Sequence, residues 1–527
     1  MITGQNFIGN KRSSTGQKTY RTFNPKLNKE NEWVFTEADM DELNEAVALA
    51  VEAFKSYQRI SGLEKAKFIN AICEEILGLG DNLIKVFCAE TGLAEGRAKG
   101  ELGRTISQLK SFADLVENGS YIDAAIETAD QTRQPAAKPD LRKMMFPLGP
   151  VAVFGASNFP LAFSTPGGDT ASALAAGCPV IVKSHPMHSG TAELIASAII
   201  EAAHKTGMPN GVFSLLNSSD SGVGQALVLH PDIKAVGFTG SFKGGRALHD
   251  MGSLRPNPIP VFAEMGSINP TILLPNAINN KSEELAEMYA GSITLGAGQF
   301  CTNPGLIIAL KSEALKDFLN ILGQKLSKIQ PSCMLHPNIA KKYNEGKEKF
   351  FDNDAVVEIE IDSISAEENH ASPALATVSA TDFLQYKDLH EEIFGPFSVV
   401  VQCDDVEQLQ EVVDNLEGQL TGSIISDSGE IANYKDIVNS LQMKVGRLIF
   451  NNVPTGVEVS PAMLHGGPYP ASSDSRFTAV GTDAIKRWLR PVSFQHWPND
   501  MLPAELKNEN PLNISRKING KQTEDKI

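Results

Sequence analysis

The chain has 527 residues, 42% of them hydrophobic, which is enough to bury large cores and to build two or three domains. Its 47 basic and 63 acidic residues give a net charge of −16 with no basic block, so a binder of nucleic-acid backbone is not expected. Cys73, Cys88, Cys178, Cys301, Cys333 and Cys403 lack C-x-x-C or metal-ligand spacing, which predicts neither a disulfide framework nor a metal site and fits a reducing compartment.

No apolar stretch follows Lys11 and Arg12, and no run approaches the ~18 apolar residues of a membrane span. A cytoplasmic protein with no membrane partner is expected. Met40, Leu43, Val47, Ala50, Val51 and Phe54 recur at helical spacing, and Glu64 to Leu77 continue in the same way, so the first 120 residues read as mostly helical. Between Tyr121 and Met145 the chain turns polar and proline-containing, the pattern of an exposed arm or hairpin. Val151–Phe154 then opens an alternation: a helix through Ala171 to Ala176, the strand Val180–Val182 and a helix from Thr191 to His204. The strands Gly211–Leu216 and Ala235–Phe238 follow, each with a glycine-rich turn and helix after it. This pattern predicts a parallel sheet of the dinucleotide-binding type. A second α/β alternation runs from Thr271 to about Ile449, and the polar stretch Lys507–Ile527 is expected to fray.

A lone cysteine in such a chain is ordinarily a small buried hydrophobe, and five of the six carry no further signal. Cys301 differs, because it follows the flexible Gly296-Ala297-Gly298-Gln299 and precedes Thr302-Asn303-Pro304, where a helix would break. On an exposed turn a thiolate can meet a substrate while its own N–H points at that substrate's oxygen. Glu264 ends the strand-like Val261-Phe262-Ala263 and would by default be a solvated charge; Asn158, in Ala156-Ser157-Asn158-Phe159-Pro160, would by default be a helix cap. Lys183 closes the apolar run Pro179–Val182, Phe238-Thr239-Gly240-Ser241-Phe242-Lys243-Gly244 ends a strand and opens a helix, and Glu391-Glu392-Ile393-Phe394-Gly395-Pro396 lies downstream. The full G-x-G-x-x-G fingerprint is missing, with only an echo at Gly222-Val223-Gly224.

Taken in order, these motifs resemble the aldehyde dehydrogenase superfamily over nearly the whole chain, from Phe23-Asn24-Pro25 to Arg487-Trp488-Leu489-Arg490-Pro491. The resemblance implies an α/β aldehyde dehydrogenase fold. Its parts would be a Rossmann-like cofactor domain (1–120 and 147–264), a catalytic domain (265–483), a small β oligomerisation arm (121–146 and 484–500) and a C-terminal tail (501–527). It implies Cys301 as nucleophile, Glu264 as general base and Asn158 as oxyanion donor. Lys183, Ser184, Gly240, Ser241, Gly244, Glu392 and Phe394 would contact NAD or NADP. Three residues beyond Lys183, where NAD-preferring relatives often carry a glutamate that repels a 2′-phosphate, stands Pro186, so NADP is favoured. A homodimer or homotetramer is implied.

Within the superfamily, Phe154–Ser164, Gly167–Pro179, Glu264–Ser267 and Pro454–Val459 resemble the branch that oxidises 2,5-dioxopentanoate; the same branch holds long-chain and broad-range enzymes. Arg104 and Gln108 share a helix face and would read the carboxylate end of such an aldehyde, against the plainer reading of Arg104 as a surface partner of Glu101. Phe159 and Phe163 would line the tunnel. The loop His465-Gly466-Gly467-Pro468-Tyr469-Pro470 departs from the family's usual P-F-G-G form. A cysteine thioesterase without cofactor would use the same nucleophile but has no need of Lys183, Gly240-Ser241 and Glu392.

Overall fold

The structure, a computed structural model, describes residues 2–362 and 366–527. Short strands come first: β1 (Asn6–Ile8), β2 (Lys11–Ser13) and the hairpin β3 (Thr19–Asn24) and β4 (Lys29–Thr36). These strands are not expected from the periodicity, although the first 120 residues are mostly helical, as expected. Strands of three residues carry too little periodicity to read, and β1 exists because Phe7 pairs with Leu215, far along the chain. The helices α1 (Met40–Tyr57), α2 (Gly62–Gly78), α3 (Gly80–Thr91) and α4 (Glu95–Asn118) follow. Asp39 and Ser61 cap α1 and α2 with full capping boxes, which fixes where each begins.

After the antiparallel pair β5 (Ala125–Glu127) and β6 (Leu141–Pro147), the alternation expected from the sequence is present: β7 (Val151–Phe154), α5 (Gly168–Ala176), β8 (Val180–Lys183), α6 (Ser189–Lys205) and β9 (Phe213–Leu216). It continues as α7 (Gly222–Leu229), β10 (Ala235–Thr239), α8 (Phe242–Ser253) and β11 (Val261–Glu264). The sheet order is β11-β10-β7-β8-β9-β1-β2, with β11 to β9 parallel. The chain leaves β7 in one direction and returns on its other side at β10. The crevice at the carboxyl ends of these two strands is therefore the topological switch point, where ligands of such sheets bind.

A second sheet is built from β12 (Thr271–Leu273), α9 (Pro275–Thr294), β13 (Leu306–Leu310), α10 (Glu313–Leu326), β14 (Ser332–Cys333), α11 (Pro337–Phe351), β15 (Val356–Ile359) and β16 (His370–Ala371). It is completed by β17 (Ala374–Ser379), α12 (Ala380–Gln385), β18 (Phe397–Cys403), α13 (Val406–Asn415), β19 (Gln419–Ile425), α14 (Lys435–Lys444) and β20 (Val445–Phe450). Its order is β15-β17-β18-β13-β12-β19-β20, and only β15 runs antiparallel to its neighbour; β14 and β16 pair apart from it. Fully buried Ile307, Ile308, Val400 and Val401 show why these strands read as continuous apolar runs.

The last strands, β21 (Leu489–Gln495), β22 (Arg516–Ile518) and β23 (Lys521–Thr523), join β6 and β5 in a third sheet, ordered β21-β6-β5-β22-β23. The end of the chain is therefore docked and does not fray. Its polar residues supply the bonds that apolar ones would not: buried Arg516 donates to the carbonyls of Lys507 and Asp525, and Asn510 Nδ2 donates to those of Ile514 and Glu524 at 3.0 and 2.9 Å. Replacing Arg516 by Ala strands these carbonyls, and a loss of about 3 kcal/mol is expected. Hydrogen exchange should rise in Asn510–Ile527 while β7–β11 stay protected; unchanged protection in that tail would show that Arg516 does not hold it.

Candidate active site

Past the end of α9 the chain turns through Gly296, Ala297 and Gly298 at φ of 56°, 56° and 67°. A side chain at Gly298 would meet the Gly395 carbonyl at 2.2 Å, so glycine is required for that close approach. The turn delivers Cys301, and both its flanks are fastened. Asn269 Nδ2 donates to the carbonyls of Cys301 and Asn303, each at 2.9 Å, while Thr421 Oγ1 donates to Asn269 Oδ1 at 2.9 Å. Gln299 Oε1 accepts from the Leu335 N–H at 3.0 Å.

Three elements bring chemistry to the thiol. Glu264, the last residue of β11, is buried; His465 Nε2 lies 3.0 Å from its Oε1 and 3.5 Å from Cys301 Sγ. The approach of His465 to Glu264 is close but not aligned as a hydrogen bond, so both Glu264 oxygens lack a hydrogen-bond partner within the chain. His465 is placed by its own N–H, which donates to Thr478 Oγ1 at 2.8 Å, and by the segment beyond it. There Met265 N–H donates to the Ala471 carbonyl at 2.8 Å and Ser473 N–H to that of Ala263 at 2.9 Å, which lays the glycine loop along the edge of β11. Asn158, in the turn after β7, directs one amide proton to the Gln299 carbonyl at 2.9 Å, which leaves the other free beside Cys301. Burial pushes the Cys301 thiol well above its usual range; Glu264 and Glu392 push the same way, and Arg104 opposes them.

The turn carrying Asn158 is anchored by a residue the motif reading passes over. Fully buried Glu101 on α4 accepts from the N–H groups of Leu161 and Ala162 at 2.8 and 3.0 Å and pairs with Arg97 at 3.3 Å. Beyond it, the Phe159 ring meets Phe163 and Phe300 at centroid distances of 5.2 and 5.4 Å, with Arg97 4.3 Å over Phe159 and Arg104 5.1 Å over Phe163. Arg104 is thus no surface partner of Glu101. It is half-buried, its Nε donates to the Val457 carbonyl at 3.4 Å, and its Nη1 and Nη2 have no hydrogen-bond partner within the chain. Arg447 on β20 is similar: Nη1 and Nη2 donate to the Gly456 and Pro454 carbonyls at 2.8 and 2.6 Å, and Nε has no partner. Gln108 instead packs against Gly168 at the start of α5. Arg97, Glu101 and Arg104 at i, i+4 and i+7 are a helix-face signal that the sequence displays; His465 shows only as the polar residue before a double glycine, and Arg447 by nothing local.

The switch-point crevice collects the other group. Gly240 follows β10, and Ser241 caps α8 by accepting from the Gly244 N–H at 3.3 Å, leaving the helix N-terminus clear for an anion. Lys183 ends β8; burial lowers its pKa to about 8, with Asp220 and Glu37 pulling it back up. Ser184, next to it, is fully buried, and its hydroxyl donates to Ser189 Oγ at 3.0 Å. Glu392 and Phe394 line a cavity with Gly298 and Phe300, and Glu392 Oε2 crowds the bare Cα of Gly266. Cys301, Lys183 and Glu392 are each touched by solvent yet surrounded by chain, the setting of groups inside a cleft. A helix N-terminus and a lysine at the carboxyl ends of β10 and β8, with a carboxylate in the cavity beside the Gly298 turn, are groups that fit a nicotinamide dinucleotide.

The profile of the aldehyde dehydrogenase family matches residues 11–490. The chain is 45% identical over 521 residues to alpha-ketoglutaric semialdehyde dehydrogenase 2 of Azospirillum brasilense, and 43% over 522 residues to alpha-ketoglutaric semialdehyde dehydrogenase of Acinetobacter baylyi, covering 99% of each chain in both cases. An aldehyde dehydrogenase of Pseudomonas aeruginosa superposes with a TM-score of 0.81 at 20% identity, over 94% of this chain and 97% of that one. Betaine aldehyde dehydrogenase of Staphylococcus aureus, solved with NAD+, gives 0.81 at 17% identity over 96% and 99%. At these identities the two structures show that the fold is shared.

A lysine at about 8 makes anion binding pH-dependent within an accessible range. Since the charged form binds a phosphate, dinucleotide affinity should fall as pH rises through about 8, by up to tenfold per unit. Fluorescence titration of Lys183→Met should show weaker binding without that slope; a slope retained in the variant would assign it to another group.

Proposed function

The chain belongs to the aldehyde dehydrogenase family, NAD(P)-dependent oxidoreductases acting on aldehydes, and from that premise we propose that it oxidises 2,5-dioxopentanoate to 2-oxoglutarate, with NADP favoured over NAD. The observation that carries the substrate is the buried charge near the thiol. Arg104 and Arg447 hold guanidinium N–H groups without partners, and Glu101 is already engaged by Arg97 and two backbone amides. An anionic substrate end would satisfy them, and a carboxylate can accept from a guanidinium in bidentate fashion. The names of the two relatives point to the same semialdehyde. The Phe159, Phe163 and Phe300 rings would take the methylene carbons, and they are the feature that keeps a broad-range or long-chain aldehyde as the second reading.

Cys301 Sγ attacks the aldehyde carbon and its proton passes to His465 or Glu264, the bases beside it. The free amide proton of Asn158 and the Cys301 N–H hold the alkoxide, at roughly 3–4 kcal/mol for a single such donor. A bound nicotinamide supplies the two-electron acceptor for the aldehydic hydrogen. Glu264 then deprotonates the water that cleaves the thioester, and the acid leaves with Cys301 restored as a thiol. Lys183, Gly240, Ser241, Gly244, Glu392 and Phe394 are the residues we assign to the dinucleotide, with β1–β4, β7–β11 and their helices as its domain and β12–β20 as the catalytic one. Pro186 in place of an acidic residue supports NADP, and Glu37 and Asp220 near Lys183 work against a 2′-phosphate, so dual use is compatible with the crevice.

A homodimer or homotetramer is proposed through the edge strands. Leu448 and Phe450 are exposed on β20, the outer strand of its sheet, and β21 is the outer strand of the third. Among the described residues no helix is long and apolar enough to cross a membrane. Six free cysteines support a cytoplasmic setting.

Arg104→Met should cost the oxo acid 10- to 150-fold or so in kcat/KM, the worth of about 1.5–3 kcal/mol, and leave propanal unchanged; an unaltered preference would remove Arg104 from substrate reading. Glu264→Gln should give a rapid burst of reduced cofactor followed by slow turnover. Equal loss of burst and steady state would place Glu264 in acylation alone.

A further inference from the structure

We propose that Glu264, Cys301 and His465 together form a binding site for a thiophilic divalent cation, zinc(II) foremost, and that its occupancy shuts the enzyme down. The three side chains come from positions so far apart that sequence spacing predicts no metal site. In space, a carboxylate oxygen, Sγ and a ring nitrogen all lie within 4.8 Å of one another. The imidazole nitrogen is 3.5 Å from the sulfur and 3.0 Å from the carboxylate oxygen. Tetrahedral zinc with bonds of ~2.3 Å to sulfur and ~2.0–2.2 Å to nitrogen and oxygen holds its ligand atoms about 3.3–3.6 Å apart. The two edges that meet at the imidazole nitrogen lie within a few tenths of an ångström of those values, and the sulfur–oxygen edge is no longer than 4.8 Å.

The donor chemistry selects the ion. A thiolate and an imidazole favour zinc or cobalt(II) over magnesium or calcium, which require oxygen ligands. Thiolate and carboxylate neutralise the dication, and binding forms the metal–sulfur bond while releasing the thiol proton to solvent. No oxidant or reductant is involved. Both Glu264 oxygens are buried without a hydrogen-bond partner in the chain, so coordination would satisfy a group that is now unsatisfied. Two ligands are already positioned: Asn269 holds the Cys301 carbonyl, and Thr478 holds the His465 N–H. Three protein ligands leave a fourth position for water. The Arg104 and Arg447 guanidinium groups, whose charge is felt at Cys301, oppose a cation there and limit its affinity. The metal would take up the nucleophile, the carboxylate and the neighbouring base at once, so it inhibits and does not assist.

The experiment is a titration of the metal-free full chain with cobalt(II), without aldehyde or dinucleotide, so that its result stands apart from the substrate assignment. A near-ultraviolet sulfur-to-cobalt charge-transfer band with tetrahedral visible bands is expected, displaced by zinc(II) and abolished in Cys301→Ser. In the wild type, zinc(II) should block reduced-cofactor formation and EDTA should restore it. Cys88→Ser and Cys333→Ser, which remove the other two half-buried thiols, should leave the zinc response unchanged. His465→Phe should weaken cobalt binding at least ~tenfold, read by the spectrum even if turnover is lost. Absence of the charge-transfer band in the wild type, or unaltered cobalt affinity in His465→Phe, would overturn the proposal.

Discussion

A thiol that must lose its proton where the protein largely excludes water is the constraint on which the rest of this structure depends. Burial and two nearby carboxylates hold Cys301 in its neutral form, and the Arg104 and Arg447 guanidinium groups act the other way. Such a group is inert unless a base stands within reach at the moment of attack. The fold answers with positioning: the Cys301 turn, the end of β11 and the glycine loop are tied to one another by backbone bonds, so that Sγ, Glu264 and His465 converge. The glycine at position 298 and the bridge between Glu264 and Ser472 matter for the same reason, since each permits an approach that a bulkier or unpaired chain would prevent.

The charges around the thiol explain one another. Glu101 is fully buried yet well supplied with partners, and by holding the Leu161 and Ala162 amides it fixes the turn that aims Asn158. Because Arg97 answers Glu101, Arg104 is left with nitrogens that nothing in the chain satisfies. An unsatisfied buried cation is costly, and a site that retains it keeps it for something that arrives from solution. Gln108 shares the helix face of Arg104 and packs against α5, with its Nε2 likewise buried and without a hydrogen-bond partner within the chain. On the proposed reading, the apolar rings would take the middle of a substrate, the guanidinium groups its far end and the thiol its reacting carbon.

How much of this was legible in the sequence depended on locality. Cys301, Glu264 and Asn158 each sit in a short segment whose glycines, prolines and flanking strand residues announce a turn, and the structure brings all three segments to one place. The β-α-β alternation from Val151 to Phe238 was equally readable because buried parallel strands are continuous apolar runs. His465 was not, because its neighbour Cys301 is 164 residues away and the contact depends on a strand-like addition to β11 that no periodicity displays. Ser184 lies just beyond β8, and its hydroxyl is spent on Ser189 inside the chain, which nothing in the sequence next to Lys183 displays. The short strands β1, β2, β22 and β23 escaped notice because three residues carry too little periodicity, and β1 and β22 have partners far along the chain.

The central claim is that the guanidinium N–H groups of Arg104 and Arg447 that have no partner within the chain read an anionic substrate in front of this nucleophile. The most direct measurement compares kcat/KM of the wild-type enzyme for 2,5-dioxopentanoate and for pentanal, which matches its chain length without the carboxylate. A ratio of about tenfold or more in favour of the oxo acid is the result the account predicts, as one charge-assisted contact is worth at least that much. Equal constants, or a preference for pentanal, would contradict it and leave a general aldehyde dehydrogenase whose arginines serve the fold.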